Sequence, residues 1–230
     1  MTEQNRLQSL ITAEETTLLL AELFRRAATQ YEQIGSWREA AECWVQQGNP
    51  KRAGALYTQA GDLRRAARTW LQGGCYPEAL TAYQQWEQQI QGLSARINLL
   101  DQFQALLGQS ACHILATRRS SSSTNFSPAA GQQTYRQARE LLANTLESTF
   151  PPATASYWEA LGDYGGWLGR YDLIQEGYEQ ALAALEESGE RTLQVRICTA
   201  YLAQARAHAD RLLCQELEER LAAWPEDVKR

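Results

Sequence analysis

The chain has 230 residues, 44% of them hydrophobic, which is enough to bury a real core in one large domain or two small ones and excludes a disordered chain. Its 27 acidic residues against 22 basic ones leave a formal net charge of −5, so the molecule as a whole is not composed as a nucleic-acid binder. Ala, Leu, Gln, Glu and Arg dominate while Val and Ile are scarce, which favours helices over a large sheet.

The opening MTEQNRLQSL has no basic segment followed by an apolar stretch, so no signal peptide is expected. No apolar run reaches the roughly 18 residues of a membrane span. Cys43, Cys75, Cys112, Cys198 and Cys214 are far apart, odd in number and form no CxxC pair. Free thiols in a reducing cytoplasm are the expected state, which makes the expected location cytoplasmic. Residues 12–33 read as a first helix, with Thr12 and Glu15 as a capping box and Leu18, Leu19, Leu20 and Phe24 as apolar surface capping the first repeat.

From there a thirteen-residue period takes over. Glycine recurs at Gly35, Gly48, Gly61 and Gly74. Alanine recurs at Ala27, Ala40, Ala53, Ala66 and Ala79, and an aromatic at Tyr31, Trp44, Tyr57, Trp70 and Tyr83. Gly suits the left-handed position that ends a helix. The residue after it is Ser36, Asn49, Asp62 or Cys75, and the first three are favoured N-caps. Ser36 with Glu39 reads as a capping box, and Pro50 falls at the first helical position after Asn49. Each unit is therefore one short helix, ended and restarted within about two residues. Stripes such as Trp37, Ala40, Trp44 and Leu63, Ala66, Trp70 form its buried face, small Ala allowing close approach and the aromatic filling the groove beside it.

Residues 84–117 read as helical, with Ile90, Leu93, Ile97, Leu100, Phe103 and Leu107 as a buried stripe and Gly92 and Gly108 as breaks. Residues 119–131, RSSSSTNFSPAAG, read as a flexible serine-rich loop. A helix is expected over 134–148, stopped by Pro151-Pro152. The expected organisation is an N-terminal helical-repeat array at 1–118 with its thirteen-residue units at 22–86, the loop at 119–131, and C-terminal helices at 132–230.

In that last part, the segment YWEALGDYGGWLGRYDLIQEGYEQALAALE resembles the tetratricopeptide repeat (TPR) family. Trp158, Leu161 and Gly162 match the family's W-x2-L-G opening, with Tyr178 at its Phe position and Ala181 three residues later. Gly165 stands in place of its Tyr, with Tyr164 beside it; Ile174 replaces its small Ala and Glu186 its Pro. One repeat covers 155–187 and a degenerate second one covers 193–225, ending in LAAWP. The short units at 22–86 resemble the compact TPR-like helices of trafficking adaptors such as the tails of intraflagellar-transport and coat proteins. The resemblance implies an all-α fold, a TPR-like α-solenoid of short antiparallel helices, used to bind another protein.

No phosphate loop, GxGxxG or GxSxG occurs. His113 and His208 have no Cys- or carboxylate-rich cluster at metal-ligand spacing, and the pairs Glu186-Glu187 and Glu218-Glu219 read as solvated. No catalytic residue, metal or cofactor is therefore expected. The candidate site is a basic ladder that follows the period: Arg25, Arg38, Lys51 and Arg64, with Arg52 and Arg65 beside it. Residues 22–86 hold eight Lys+Arg against six Asp+Glu in an otherwise acidic chain. Either this is an ordinary solvated face or it attracts an acidic segment of a partner protein. The expected function is a non-catalytic scaffold or adaptor for a peptide or helix of another protein. The alternatives are a regulatory or assembly subunit of a trafficking, secretion or defence complex, and a nucleic-acid binder using the ladder. Self-association, with the Glu-rich second half of one copy meeting the ladder of another, stays open.

Overall fold

The structure, a computed structural model, describes residues 3–92, 99–119, 126–146, 151–186 and 188–224, with side chains described except at 3–15 and 151. Every regular element among them is a helix: α1 (Glu3–Gln33), α2 (Trp37–Gln46), α3 (Pro50–Gln59), α4 (Leu63–Gln72), α5 (Tyr76–Gln91), α6 (Leu99–Arg119), α7 (Pro128–Leu146), α8 (Pro151–Leu168), α9 (Tyr171–Leu185), α10 (Arg191–Ala207) and α11 (Arg211–Ala222). No described helix is long and apolar enough to cross a membrane. The chain forms two compact units, Met1–Trp86 and Glu87–Arg230. The residue pattern divides the chain at 119–131. The packing divides it at the end of the thirteen-residue array instead, because α6 and α7 pack on each other inside the second unit; Arg119 and residues 128–131 of the expected loop are helical, in α6 and α7. Residues 120–125 of that segment lie outside the described ones.

The thirteen-residue period has a hydrogen-bond explanation. In α2, ten helical residues are followed by Gln47, by Gly48 at φ +80°, and by Asn49. The Gly48 N–H donates to Val45 O and the Asn49 N–H to Trp44 O, the double closure of a Schellman motif. Asn49 then begins the next helix, its side chain accepting from the Arg52 N–H at 3.2 Å. One residue thus closes one helix and caps the next, and ten plus three residues make the repeat. The same pair of closures recurs at Gly35/Ser36, Gly61/Asp62 and Gly74/Cys75. Asp62 caps α4 through the Arg65 N–H.

Two expected caps do not form. Ser36 occupies the N-cap of α2, but its side chain makes no cap hydrogen bond. Its N–H, which Glu39 would have to reach in a capping box, is already held by Tyr31 O. Thr12 lies inside α1, which runs unbroken from Glu3 because residues 3–33 contain neither Gly nor Pro.

Between the joints, α1 packs on α2, α2 on α3 and α3 on α4. Ala40, Ala53, Ala66 and Ala79 have no exposed surface, and Trp44, Tyr57 and Tyr83 are buried with them. The first copy departs from the pattern: Ala28 rather than Ala27 joins the core, and Tyr31 is exposed. Trp70 is only half-buried, its ring resting on Gly54, where an added Cβ would stand 2.6 Å from two ring atoms.

In the second unit, α6 packs on α7 and α8, α8 on α9, α9 on α10, and α10 on α11. Over 84–117, α5 ends at Gln91, directly before the expected break at Gly92, and α6 starts at Leu99. Ile90, Phe103 and Leu107 are buried as expected, whereas Leu93 and Ile97 lie outside the described residues. Gly108 breaks nothing; it is buried within α6. Pro128 and Pro151 occupy first turns of α7 and α8, where the missing N–H costs nothing, so the proline pair opens a helix. The core here is built of stacked aromatics, with Tyr178 and Tyr201 5.2 Å apart and Tyr135 and Tyr164 5.2 Å apart. The Tyr164 hydroxyl and Ser110 Oγ meet at 2.9 Å, and Ser110 Oγ donates to Gly131 O at 2.7 Å, which satisfies the buried polar groups between α6, α7 and α8.

The Schellman joint also recurs in this unit, at Gly169/Arg170 and at Ala209/Asp210. At the second joint a residue with a Cβ adopts φ +56°. The left-handed region costs such a residue about 1 kcal/mol. Ala209→Gly is therefore expected to stabilise the protein by about 1 kcal/mol, read as a raised urea midpoint with unchanged slope. An unchanged or lowered midpoint would contradict the account of this joint.

Candidate functional site

Arg38, Lys51 and Arg64 each occupy the second residue of their helix, α2, α3 and α4, because each follows the cap by the same two positions. A cation there gains nothing from the helix dipole, so these charges are not placed for helix stability. Arg25 sits one period earlier, within α1.

Arg25 and Arg38 of the ladder meet acids of their own unit. Both nitrogens that Arg25 directs at Glu22 lie within 2.9 Å of its carboxylate, and Arg26 Nε reaches the same group at 2.9 Å. These two arginines pull the Glu22 carboxyl down to about 2. Arg38 Nε stands 3.5 Å from Asp62. Lys51 is exposed and forms no ion pair with a described residue. Arg64 lies over the Trp86 ring, 5.8 Å from its centre. Exposed pairs of this kind contribute little and exchange readily with an outside carboxylate.

Arg52 and Arg65 behave differently. Arg52 grips Glu32 with Nε at 3.1 Å and Nη2 at 2.8 Å while lying 4.4 Å from the centre of the Trp44 ring. Trp44 Nε1 donates to the same carboxylate at 2.6 Å. Helices α1, α2 and α3 are thereby tied at one point, and Arg52 with Trp44 holds the Glu32 carboxyl below its ordinary range. One period later Arg65 repeats the placement over Tyr57 at 5.9 Å, with Nη1 2.8 Å from Glu42. The two arginines that support the ladder in sequence are thus inter-helix braces. The signal for this is an aromatic eight residues before each, Trp44 before Arg52 and Tyr57 before Arg65.

A groove of about 630 Å³ gathers Glu22, Arg25, Arg26, Thr29, Gln30, Gln33, Trp44 and Arg52 on the first unit. It unites Arg25 and Arg52 of the candidate set and adds Arg26; Arg38, Lys51, Arg64 and Arg65 are outside it. A second groove of about 500 Å³ is floored by Trp70 with Ala55, Ala82 and Pro77 and carries one charge, Glu78. Sequence reasoning missed it, since Trp70 reads as one more core aromatic.

Among the described residues no group of three His, Cys, Asp or Glu could hold a metal ion. His113 is half-buried against Phe126, which lowers its pKa by desolvation, and its Nδ1 stands 3.5 Å from the Ser127 N–H. His208 is exposed beside Tyr171. Glu218 pairs with Arg206 and Glu219 accepts from Gln215; Glu186 is exposed, and Glu187 lies outside the described residues. All five cysteines are free thiols, and burial pushes Cys43, Cys112 and Cys198 up in pKa, away from the reactive thiolate. No protein-family model and no curated protein matches the chain.

Proposed function

We propose that the chain is a TPR-like α-solenoid scaffold or adaptor, without catalysis, that holds a peptide or helix of another protein against its first unit. Successive helices joined by the same Gly–cap closure support the solenoid reading, as does the Trp158/Leu161/Gly162–Tyr178/Ala181 pattern across α8 and α9. The observation that carries the binding reading is the groove in which Arg25, Arg26, Arg52 and Trp44 converge. One carboxylate, Glu22, serves two arginines there, so a carboxylate from outside can take over Arg25 or Arg26 without stranding a buried charge. A partner segment with acidic residues beside an apolar one fits this chemistry.

The test is affinity purification from the native cell with wild type and an Arg25→Glu, Arg38→Glu, Lys51→Glu, Arg64→Glu variant. Arg52 and Arg65 are left intact because their loss would loosen the helices. One protein enriched by wild type, and depleted at least about tenfold by the variant, is expected. Equal enrichment by both would remove the ladder from the binding face. Capture of nucleic acid with steep salt dependence would replace the scaffold reading altogether.

A further inference from the structure

Within the array, α2 and α3 each have a helix on both sides, and α1 packs on α2. The thirteen-residue equivalence identifies the face of α1 that goes without a neighbour. Each later unit buries two alanine-class positions side by side, Ala40 with Ala41, Ala53 with Gly54, and Ala66 with Ala67. In α1 the second of the pair, Ala28, is fully covered while Ala27 is not. The aromatic points the same way: Tyr31 is 38% exposed where Trp44, Tyr57 and Tyr83 are 4%, 5% and 2% exposed and Trp70 is half-buried. So the uncovered surface of α1 is the one that later units cover with a helix.

The residues on it are Leu20, Leu23, Ala27, Tyr31 and Ile34. At about 100° per residue they fall within an arc of about 80°, roughly a quarter turn from the Ala21, Phe24 and Ala28 face that meets α2. Leu23 is 52% exposed and Ile34 74%. Phe24 and Gln30 border the stripe, so no charge lies on it. Its spacing is symmetrical about Ala27: Leu20 and Ile34 stand seven residues to either side, Leu23 and Tyr31 four. A helix with such a stripe is complementary to its own reverse. Two copies laid antiparallel, with Ala27 on the two-fold axis, set Leu20 against Ile34 and Leu23 against Tyr31, and the alanine pair lets the axes approach as Ala40 and Ala53 do within the array.

We infer that α1 is a self-association surface and that its occupant is α1 of a second copy, antiparallel and centred on Ala27. The stripe borders the arginine groove at Gln30 and includes none of its arginines, so this inference does not rest on the proposed function.

The test is sedimentation of the full chain from the micromolar to the hundred-micromolar range. Wild type is expected to move from the 25.9 kDa of one chain toward twice that mass. Leu23→Glu with Ile34→Glu, both at exposed positions and so compatible with folding, is expected to stay at one chain's mass. Leu212→Glu, at a comparably exposed apolar residue of α11, is expected to dimerise as wild type does. Orientation is read by oxidative cross-linking of Ala27→Cys and Ile34→Cys, each made with Cys43 and Cys214 changed to Ser. The Ala27→Cys variant, whose new thiol lies on the axis, is expected to form a disulfide between its two copies, and the Ile34→Cys variant to form none. A monomer at every concentration overturns the inference. So does a dimer that survives the double glutamate variant, or cross-linking of Ile34→Cys without cross-linking of Ala27→Cys. A double variant that releases some other protein while wild type stays monomeric makes the face a heterologous site and overturns it equally.

Discussion

Gly177→Ala is expected to cost about 3 kcal/mol, lowering the thermal midpoint of the second unit by about 10 °C. Gly177 of α9 lies against Gly162 of α8 so closely that an added Cβ would stand 2.6 Å from Gly162 Cα and 2.7 Å from Trp158 O. These are backbone atoms in the middle of a helix, and no rotamer change can move them aside. The helices would have to separate, opening the core cluster that holds Ile174 and Tyr178, both almost fully buried. Gly166→Ala is the internal control. The nearest atoms to its Cβ would be those at the end of the Gln204 side chain, at 2.8 Å, which can swing away. Unfolding followed by circular dichroism should separate the two variants clearly. Equal midpoints would mean that α8 and α9 do not approach as described.

The second large effect is expected at Trp44. Trp44→Ala removes a buried indole that is at once the filling between helices, the base for the Arg52 guanidinium and a donor to Glu32, and should cost the first unit about 4 kcal/mol. Trp44→Phe keeps most of the volume and loses the hydrogen bond to a charged acceptor, a cost of about 2 kcal/mol. Arg52→Ala, at an exposed brace, should cost about 1 kcal/mol. A pH signature accompanies the brace. The Glu32 carboxyl is depressed first by Arg52 and then by Trp44, so its folded pKa lies below the unfolded value of about 4.3. Its stabilising contribution is present above that unfolded value and is lost as pH falls through the folded one. Urea midpoints measured from pH 6 down to pH 3 should therefore fall more steeply for wild type than for Glu32→Gln. Parallel curves would show that the Glu32 carboxylate carries no such contribution.

The array was legible in the residues because its signals are local. Gly48 and Asn49 announce a helix end and a helix start through their own backbone preferences, and Ala40, Ala53, Ala66 and Ala79 mark the buried face by period alone. What was not legible depends on neighbours across space. Nothing in the residues around Ser36 says that its N–H is already committed to Tyr31 O, which undoes the capping box. Trp44, eight positions before Arg52, hints at a ring for the guanidinium, but the acid it grips, Glu32, lies twenty positions back and changes it from a ladder residue into a brace. The choice between Ala27 and Ala28 was hidden for a similar reason: which of two adjacent alanines is covered depends on how many helices flank the first unit. In the second unit, Gly162 stood out through its motif, while Gly177, its counterpart, belongs to no pattern that the residues alone display.

Because Asn49 and Asp62 each end one helix and begin the next, the array has no slack in its chain length. Inserting or deleting a single residue between Trp37 and Gln72 would either separate a cap from its closure or turn every later side chain by about 100° away from its groove. A whole added or missing period, in contrast, returns each alanine, aromatic and cap to register. The array can therefore lengthen or shorten in steps of thirteen residues and no others, a rule of growth written into one shared hydrogen-bonding residue per helix.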